Sequence, residues 1–287
     1  MNQRFFKLFI ALSFVLVINS CTEDDDFPAP VIENMEIGLN NSMVAYRGSD
    51  LHLEADIIAE GRIDRIVVEI HPEGEHDHDK KSGNTVSDHD HGWETEITWD
   101  EYKELKNTNF HKHIDVPLEA ELGEHHLHFK VIDMQGKETS LEADIEVKNP
   151  ENTDAAVLSI TSAPENGEIF HADDTISISG SATHELGLGG MYIGLVIEDQ
   201  GLEDSQVNAN NTITILHTHD FDSPTSHNFD AGIVVGAEED NNITPKPIEG
   251  DIAWQEGNYY ILAKAKDAFG GPFGFSDRYP VEIHFHD

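Results

Sequence analysis

The sequence predicts an all-β chain built as two tandem β-sandwiches. Alternation is the first sign: Arg65-Ile66-Val67-Val68-Glu69-Ile70, Ala143-Asp144-Ile145-Glu146-Val147 and Thr175-Ile176-Ser177-Ile178-Ser179 each place apolar residues at every second position. That period belongs to strands with one face buried. The second sign is that no long segment carries a helical period, while Gly, Asn, Asp and Pro punctuate the strands. The third is an internal repeat. The stretch from Gly123-Glu124-His125-His126-Leu127-His128-Phe129-Lys130-Val131-Ile132-Asp133 to Gly136 aligns with Gly257-Asn258-Tyr259-Tyr260-Ile261-Leu262-Ala263-Lys264-Ala265-Lys266-Asp267 to Gly270. Gly, Lys, Asp and Gly match at a fixed offset.

Residues 1–20 read as a signal peptide. Arg4 and Lys7 precede the apolar run from Leu8 to Ile18, which is too short for a spanning helix. The run ends Val17-Ile18-Asn19-Ser20-Cys21, which resembles the bacterial lipobox at Ile18, Ser20 and Cys21. The resemblance implies cleavage before Cys21 and lipidation of that residue. Cys21 is the one cysteine of the chain, so no disulfide is available and the fold must stand on its core. Thr22-Glu23-Asp24-Asp25-Asp26 resembles the surface-export signal of Bacteroidota lipoproteins, implying an anchor on the outer face of the outer membrane. Residues 21–30 form an acidic tether closed by the stiff Phe27-Pro28-Ala29-Pro30.

The first sandwich is expected over residues 31–149 and the second over 153–287, with the break at Lys148-Asn149-Pro150-Glu151-Asn152-Thr153-Asp154. The repeat, Gly-x-Tyr then alternation then Asp-x-x-Gly, resembles the penultimate strand and following turn of bacterial immunoglobulin-like domains. The implied fold is two tandem immunoglobulin-like β-sandwiches, with Tyr259 at the tyrosine corner and His125 replacing it in the first domain. Arg65 to Ile70 and Met191 to Ile197 are corresponding strands. Alternation points Ile66, Val68, Ile70, His125, Leu127, Phe129 and Val131 inward, and Val67, Glu69, His71, His126, His128 and Lys130 outward.

Charge excludes some partners. Removing residues 1–20 leaves 15 basic against 56 acidic residues, a net charge of −41. Such a field repels nucleic acid and anionic lipid and attracts cations. There is no Gly-rich phosphate loop, no His-Glu-x-x-His and no Gly-x-Ser-x-Gly elbow, and no enzymatic role is expected.

Histidine is the distinctive residue. Of 18 histidines, ten lie between His71 and His128. Imidazole beside carboxylate suits zinc, copper, nickel or iron. Neighbouring third and sixth strands would bring His71 beside His126 or His128. His111 and His113 share a face two positions apart. The insertion after His71 adds His76, His78, His89 and His91. The expected metal site therefore draws on His71, His76, His78, His89, His91, His111, His113, His126 and His128, joining sheet histidines to the acidic loop. Deleting residues 73–91 should weaken zinc binding. His52 reads as an ordinary strand surface residue and His125 as a hydrogen-bonded corner residue. Leu216-His217-Thr218-His219-Asp220, His227, His284 and His286 are weaker echoes in the second domain.

The Cys21 lipobox, the His-Lys-His-Ile-Asp strand and the Gly-Glu-His-His-Leu-His-Phe-Lys-Val-Ile-Asp strand together resemble an uncharacterised Bacteroidota family of His-rich lipoproteins with tandem immunoglobulin-like domains. The resemblance implies metal handling at the cell surface, beside an outer-membrane receptor. The leading expectation is a surface lipoprotein that binds a divalent transition metal, zinc first, for acquisition, buffering or delivery. Its affinity should fall below about pH 6 as imidazole protonates. The competing expectation is a surface adhesin or glycan-binding module, for which Trp93, Trp99 and Trp254 would form an exposed platform. A metal-dependent hydrolase ranks last.

Overall fold

The computed structural model describes residues 26–73 and 93–285. Cys21, His76, His78, His89, His91 and His286 lie outside the described residues. The first eight strands are β1 (Val31–Ile37), β2 (Val44–Tyr46), β3 (Asp50–Ile58), β4 (Ile63–Pro72), β5 (Thr95–Trp99), β6 (Asn107–Asp115), β7 (Gly123–Asp133) and β8 (Glu138–Lys148). They form two sheets, ordered β1-β3-β6 and β2-β8-β7-β4-β5. The next nine are β9 (Val157–Ser162), β10 (Glu168–His171), β11 (Thr175–Thr183), β12 (Leu188–Ile197), β13 (Ile213–Thr218), β14 (Ser226–Val234), β15 (Gly257–Asp267), β16 (Gly274–Phe275) and β17 (Tyr279–His284). Their sheets run β14-β11-β9 and β10-β17-β15-β12-β13, with β16 on β15. The two orders are equivalent, so the chain is two tandem sandwiches of the immunoglobulin-like arrangement.

Alternation builds each core. Ile66, Val68 and Ile70 of β4 meet Leu127, Phe129 and Val131 of β7 from within one sheet, and Leu51, Leu53 and Ala55 of β3 face them. Phe110 stands edge-on between Trp99 and Phe129, with ring centroids 5.1 and 5.0 Å away. In the second sandwich Met191, Ile193 and Leu195 pack with Tyr259, Ile261, Ala263 and Ala265.

The repeat has a physical basis. Asp133 ends β7 with its carboxylate accepting the backbone N–H groups of Gln135 and Lys137 at 2.9 and 2.8 Å. Asp267 does the same for Phe269 and Gly271 at 3.0 and 2.8 Å. Both aspartates are buried, and each replaces backbone partners that the turn cannot supply. Tyr259 closes its corner by donating to the Gln255 carbonyl and accepting from the Gln255 N–H, both at 3.0 Å. His125 is 1% exposed, and its Nδ1 lies 3.2 Å from the Gly123 carbonyl, so it makes a related local bond.

The tryptophans do not form a platform. Trp93 is buried, Trp99 packs on Phe110, and Trp254 lies against the second core with its indole N–H donated to Ala237 at 2.9 Å. The glycan-binding reading loses the platform it named, because each ring packs in or against a hydrophobic core.

The two sandwiches meet along strand faces. Gly270, at φ +80°, closes the turn after β15, and a Cβ there would stand 2.4 Å from the Tyr46 Cβ. Glycine permits both the positive φ and that approach. Tyr46 also donates to Glu151 at 3.3 Å, and Lys266 donates to Asp50. This junction places the outward face of β3 and β6 against the outward face of β12, β13 and β15.

Candidate metal centre

Cross-strand pairing assembles the site. His52 on β3 lies opposite His113 on β6, and Glu54 lies opposite His111. Asp50, His52 and Glu54 share the outward face of β3 because Leu51 and Leu53 take the core. From the second sandwich, His217 on β13 lies opposite Tyr192 on β12, and His219 follows just past the strand. Gly190 makes room here, since a Cβ would stand 3.2 Å from the His219 ring and 3.5 Å from the Lys266 stem.

Five imidazoles converge. The His52 ring centroid lies 4.9 Å from that of His111, 5.2 Å from His113 and 4.7 Å from His219. His217 stands 5.2 Å from both His111 and His219. One nitrogen from each of His52, His111, His113 and His219 lies within 4.8 Å of the others. A tetrahedral ion with bonds of about 2.1 Å holds its ligands roughly 3.4 Å apart, so small ring rotations would close the set. Among the described residues this is the one group of three or more His, Cys, Asp or Glu that converges in this way.

The outer nitrogens are tied down. His113 Nδ1 bonds Asp50, and His111 Nδ1 lies 3.4 Å from Glu54. His219 Nδ1 donates to the Gly189 carbonyl at 2.8 Å, and His217 Nδ1 donates to Asn242 Oδ1 at 2.7 Å. An acceptor at Nδ1 takes the ring N–H and leaves Nε2 as a lone pair. The Nε2 atoms of His111, His113 and His219 are buried with no hydrogen-bond partner, as is Nδ1 of His52. His52 is turned the other way because its Nε2 faces Glu36 and Glu54, 3.8 Å from each.

Burial keeps His52, His111, His217 and His219 neutral. It lowers His52 to about 3, with the charges of His113 and Lys266 adding to the effect. It lowers His111 to about 2 and His217 to about 4, and carries His219 well below the usual imidazole range. Burial alone would raise Asp50, yet Lys266 and His113 hold it well below the ordinary carboxylate value. A neutral imidazole with a free buried lone pair is the form that binds a metal.

The nine residues expected from the sequence divide three ways. His111 and His113 belong to this centre. His71, His126 and His128 come together elsewhere, on the outward face of β4 and β7, with the His71 ring 5.4 Å from His126 and 5.5 Å from His128. His126 and His128 lean toward Asp144 and Glu142, at 2.8 and 3.5 Å. His76, His78, His89 and His91 lie outside the described residues. The expectation that His111 and His113 join the His71 group is corrected, because β6 and β4 belong to opposite sheets. His52 is corrected from a surface residue to a member of the centre at 3% exposure, since the second sandwich covers its face. His217 and His219 were more than echoes. No local signal named them: Tyr192, Val196, Tyr260 and Leu262 are apolar or aromatic at outward positions, but they cluster with Val207, Leu202 and Ala209 of their own sandwich.

No curated protein matches this chain. Solved structures align with this chain at low identity and low structural overlap. The tandem Ig repeats of Dlar are 12% identical over 90% of this chain and 99% of that one, with a TM-score of 0.36. The N-terminal Ig1-2 module of the Drosophila receptor protein tyrosine phosphatase DLAR is 10% identical over 90% and 100%, with a TM-score of 0.33. The fibronectin(III)-like modules of Clostridium thermocellum CbhA are 11% identical over 89% and 93%, with a TM-score of 0.27. Residues 19–148, which include His52, His111 and His113, match the model of a family described as a domain of unknown function (DUF4625).

Proposed function

We propose that this protein binds a divalent transition metal, zinc first, between its two sandwiches through His52, His111, His113 and His219. One observation carries the reading: His52, His111, His113 and His219 bring one ring nitrogen each within 4.8 Å of the others, and each holds a buried ring nitrogen with no hydrogen-bond partner. Unsatisfied buried polar atoms are costly, and four of them on converging residues are explained by a shared cation. An all-imidazole set suits zinc, copper or nickel better than calcium or magnesium, which prefer oxygen. Four protein ligands complete a tetrahedron, which favours holding the ion over catalysis at an open position. With the lipobox at Cys21 and the acidic tether, the function is metal acquisition, buffering or delivery by a lipid-anchored protein on the outer membrane surface, with delivery to an outer-membrane receptor as one route.

The test uses tag-free protein starting at residue 22, purified without added chelator. Mass spectrometry should find about one equivalent of metal, and the His113→Ala/His219→Ala variant should lose it. Absence of bound metal after equilibration with micromolar zinc, copper and nickel would sink the reading.

A further inference from the structure

Beside the imidazoles the two sandwiches leave a cleft of about 330 Å³. That is the size of a small-molecule site rather than of a bare ion. Its charge runs against the rest of the chain. The protein has 17 basic and 56 acidic residues, yet the described wall of this cleft holds Lys112, Lys246, Lys264 and Lys266 against only Asp50 and Asp115. Asp50 is already bonded to Lys266 and His113.

Lys264 is the informative group. It is 7% exposed, and its Nζ lies 4.4 Å from the Phe273 ring centroid and 5.8 Å from that of Tyr192. Among the described residues no carboxylate pairs with it and no oxygen accepts from it. Asp50 acts on it only through space and is already shared by Lys266 and His113, so this half-shielded ammonium is short of counter-charge, which is costly at such burial. Burial lowers it to about 8, so it still carries its proton at neutral pH. Among the described residues the Lys246 Nζ donates only to the neutral Asn210 Oδ1, at 2.9 Å. Register places the anchors together: Tyr192 lies opposite both Lys264 and His217, and Gly190 lies opposite Lys266.

We propose that this cleft binds a small oxyanion-bearing molecule, a carboxylate or a phosphate, with Lys264 as its principal counter-charge and Lys246 as the second. The proposal goes beyond the metal reading and draws on it only for the added positive charge of the ion. Anion and metal would then bind cooperatively, since each neutralises charge that opposes the other's partners.

The experiment titrates the same tag-free protein, apo and zinc-loaded, with inorganic phosphate, with succinate and with neutral succinamide, by calorimetry. Saturable binding of phosphate or succinate but not succinamide is expected, and whichever binds more tightly identifies the oxyanion class. Lys264→Met and Lys246→Met should each weaken that binding about ten-fold or more, Lys264→Arg should largely retain it, and zinc stoichiometry should stay unchanged in all three. Unaltered affinity in both Met variants, or no saturable anion binding by wild type in either form, overturns the proposal. The two readings fail separately: anion binding that depends on Lys264 without zinc uptake removes the metal reading alone, and zinc uptake without anion binding removes this one alone.

Discussion

At the scale of single residues, Asp50 does two things at once. It fixes the His113 ring with Nε2 facing the centre, and it neutralises Lys266, which is 6% exposed. Asp50→Asn should therefore lower metal affinity about 10–100-fold, the usual effect of losing a carboxylate behind a ligating imidazole. It should also destabilise the protein by about 3–5 kcal/mol, because Lys266 is left buried and unpaired. Adding Lys266→Met should recover much of the stability in urea unfolding and none of the metal affinity. If the double variant recovers both, Asp50 does not orient a ligand. The identity of such residues was only partly legible. His111 and His113 announced themselves by spacing, while His52 sat alone in Asp50-Leu51-His52-Leu53. Alternation tells which way a side chain points, and says nothing of what lies beyond it.

At the scale of elements, β12 explains why the site is where it is. Leu188–Ile197 is buried at every position, with a core on one side and a covered face on the other. Gly190 is the place on that covered face where His219 crosses the strand. Gly190→Ala adds a Cβ 3.2 Å from the His219 Cε1 and 3.4 Å from its Nδ1, so the ring must shift. Metal affinity should drop at least several-fold while the urea midpoint changes little, since the added methyl meets a side chain and not backbone. A second test separates the two histidine groups. The four converging histidines sit on β3 and β6 and just after β13, so on the proposed reading removing residues 74–92 should leave one tightly bound metal per chain. Loss of that metal on deletion would return the site to the insertion, as the raw histidine count suggested.

At the scale of the whole molecule, pH and the proposed metal should act on the junction between sandwiches. His52 has a folded value of about 3 against an ordinary 6.5. Below 6.5 the unfolded chain takes up a proton that the folded ring refuses. The stability tied to His52 is thus complete above about pH 6.5 and is lost as pH falls toward 3, and His111 acts in the same sense. The urea midpoint of metal-free protein should decline from pH 7 to pH 4, and His52→Gln should flatten that decline. A midpoint that stays level in the wild type contradicts burial of neutral imidazoles. Zinc should raise the midpoint through the ordinary linkage of a ligand that binds only the folded state, a gain in unfolding free energy of about 2.7 kcal/mol when free zinc is one hundred times its dissociation constant.

The sequence by itself determined the local content of this protein. Period-two alternation set the strands and the inward sets of β4 and β7, the repeat set two copies of one sandwich, and Asp133 and Asp267 marked equivalent turns. It also brought His71 beside His126, because both lie on neighbouring strands of one sheet. The tertiary structure alone decided which histidines converge between the sandwiches. His52 and His219 are 167 positions apart, and nothing local to either names the other. Their meeting follows from how two covered faces pack, at Gly270 against Tyr46 and Lys266 against Asp50. Periodicity is a property of each strand, whereas a ligand set is a property of the surface on which strands from two domains close.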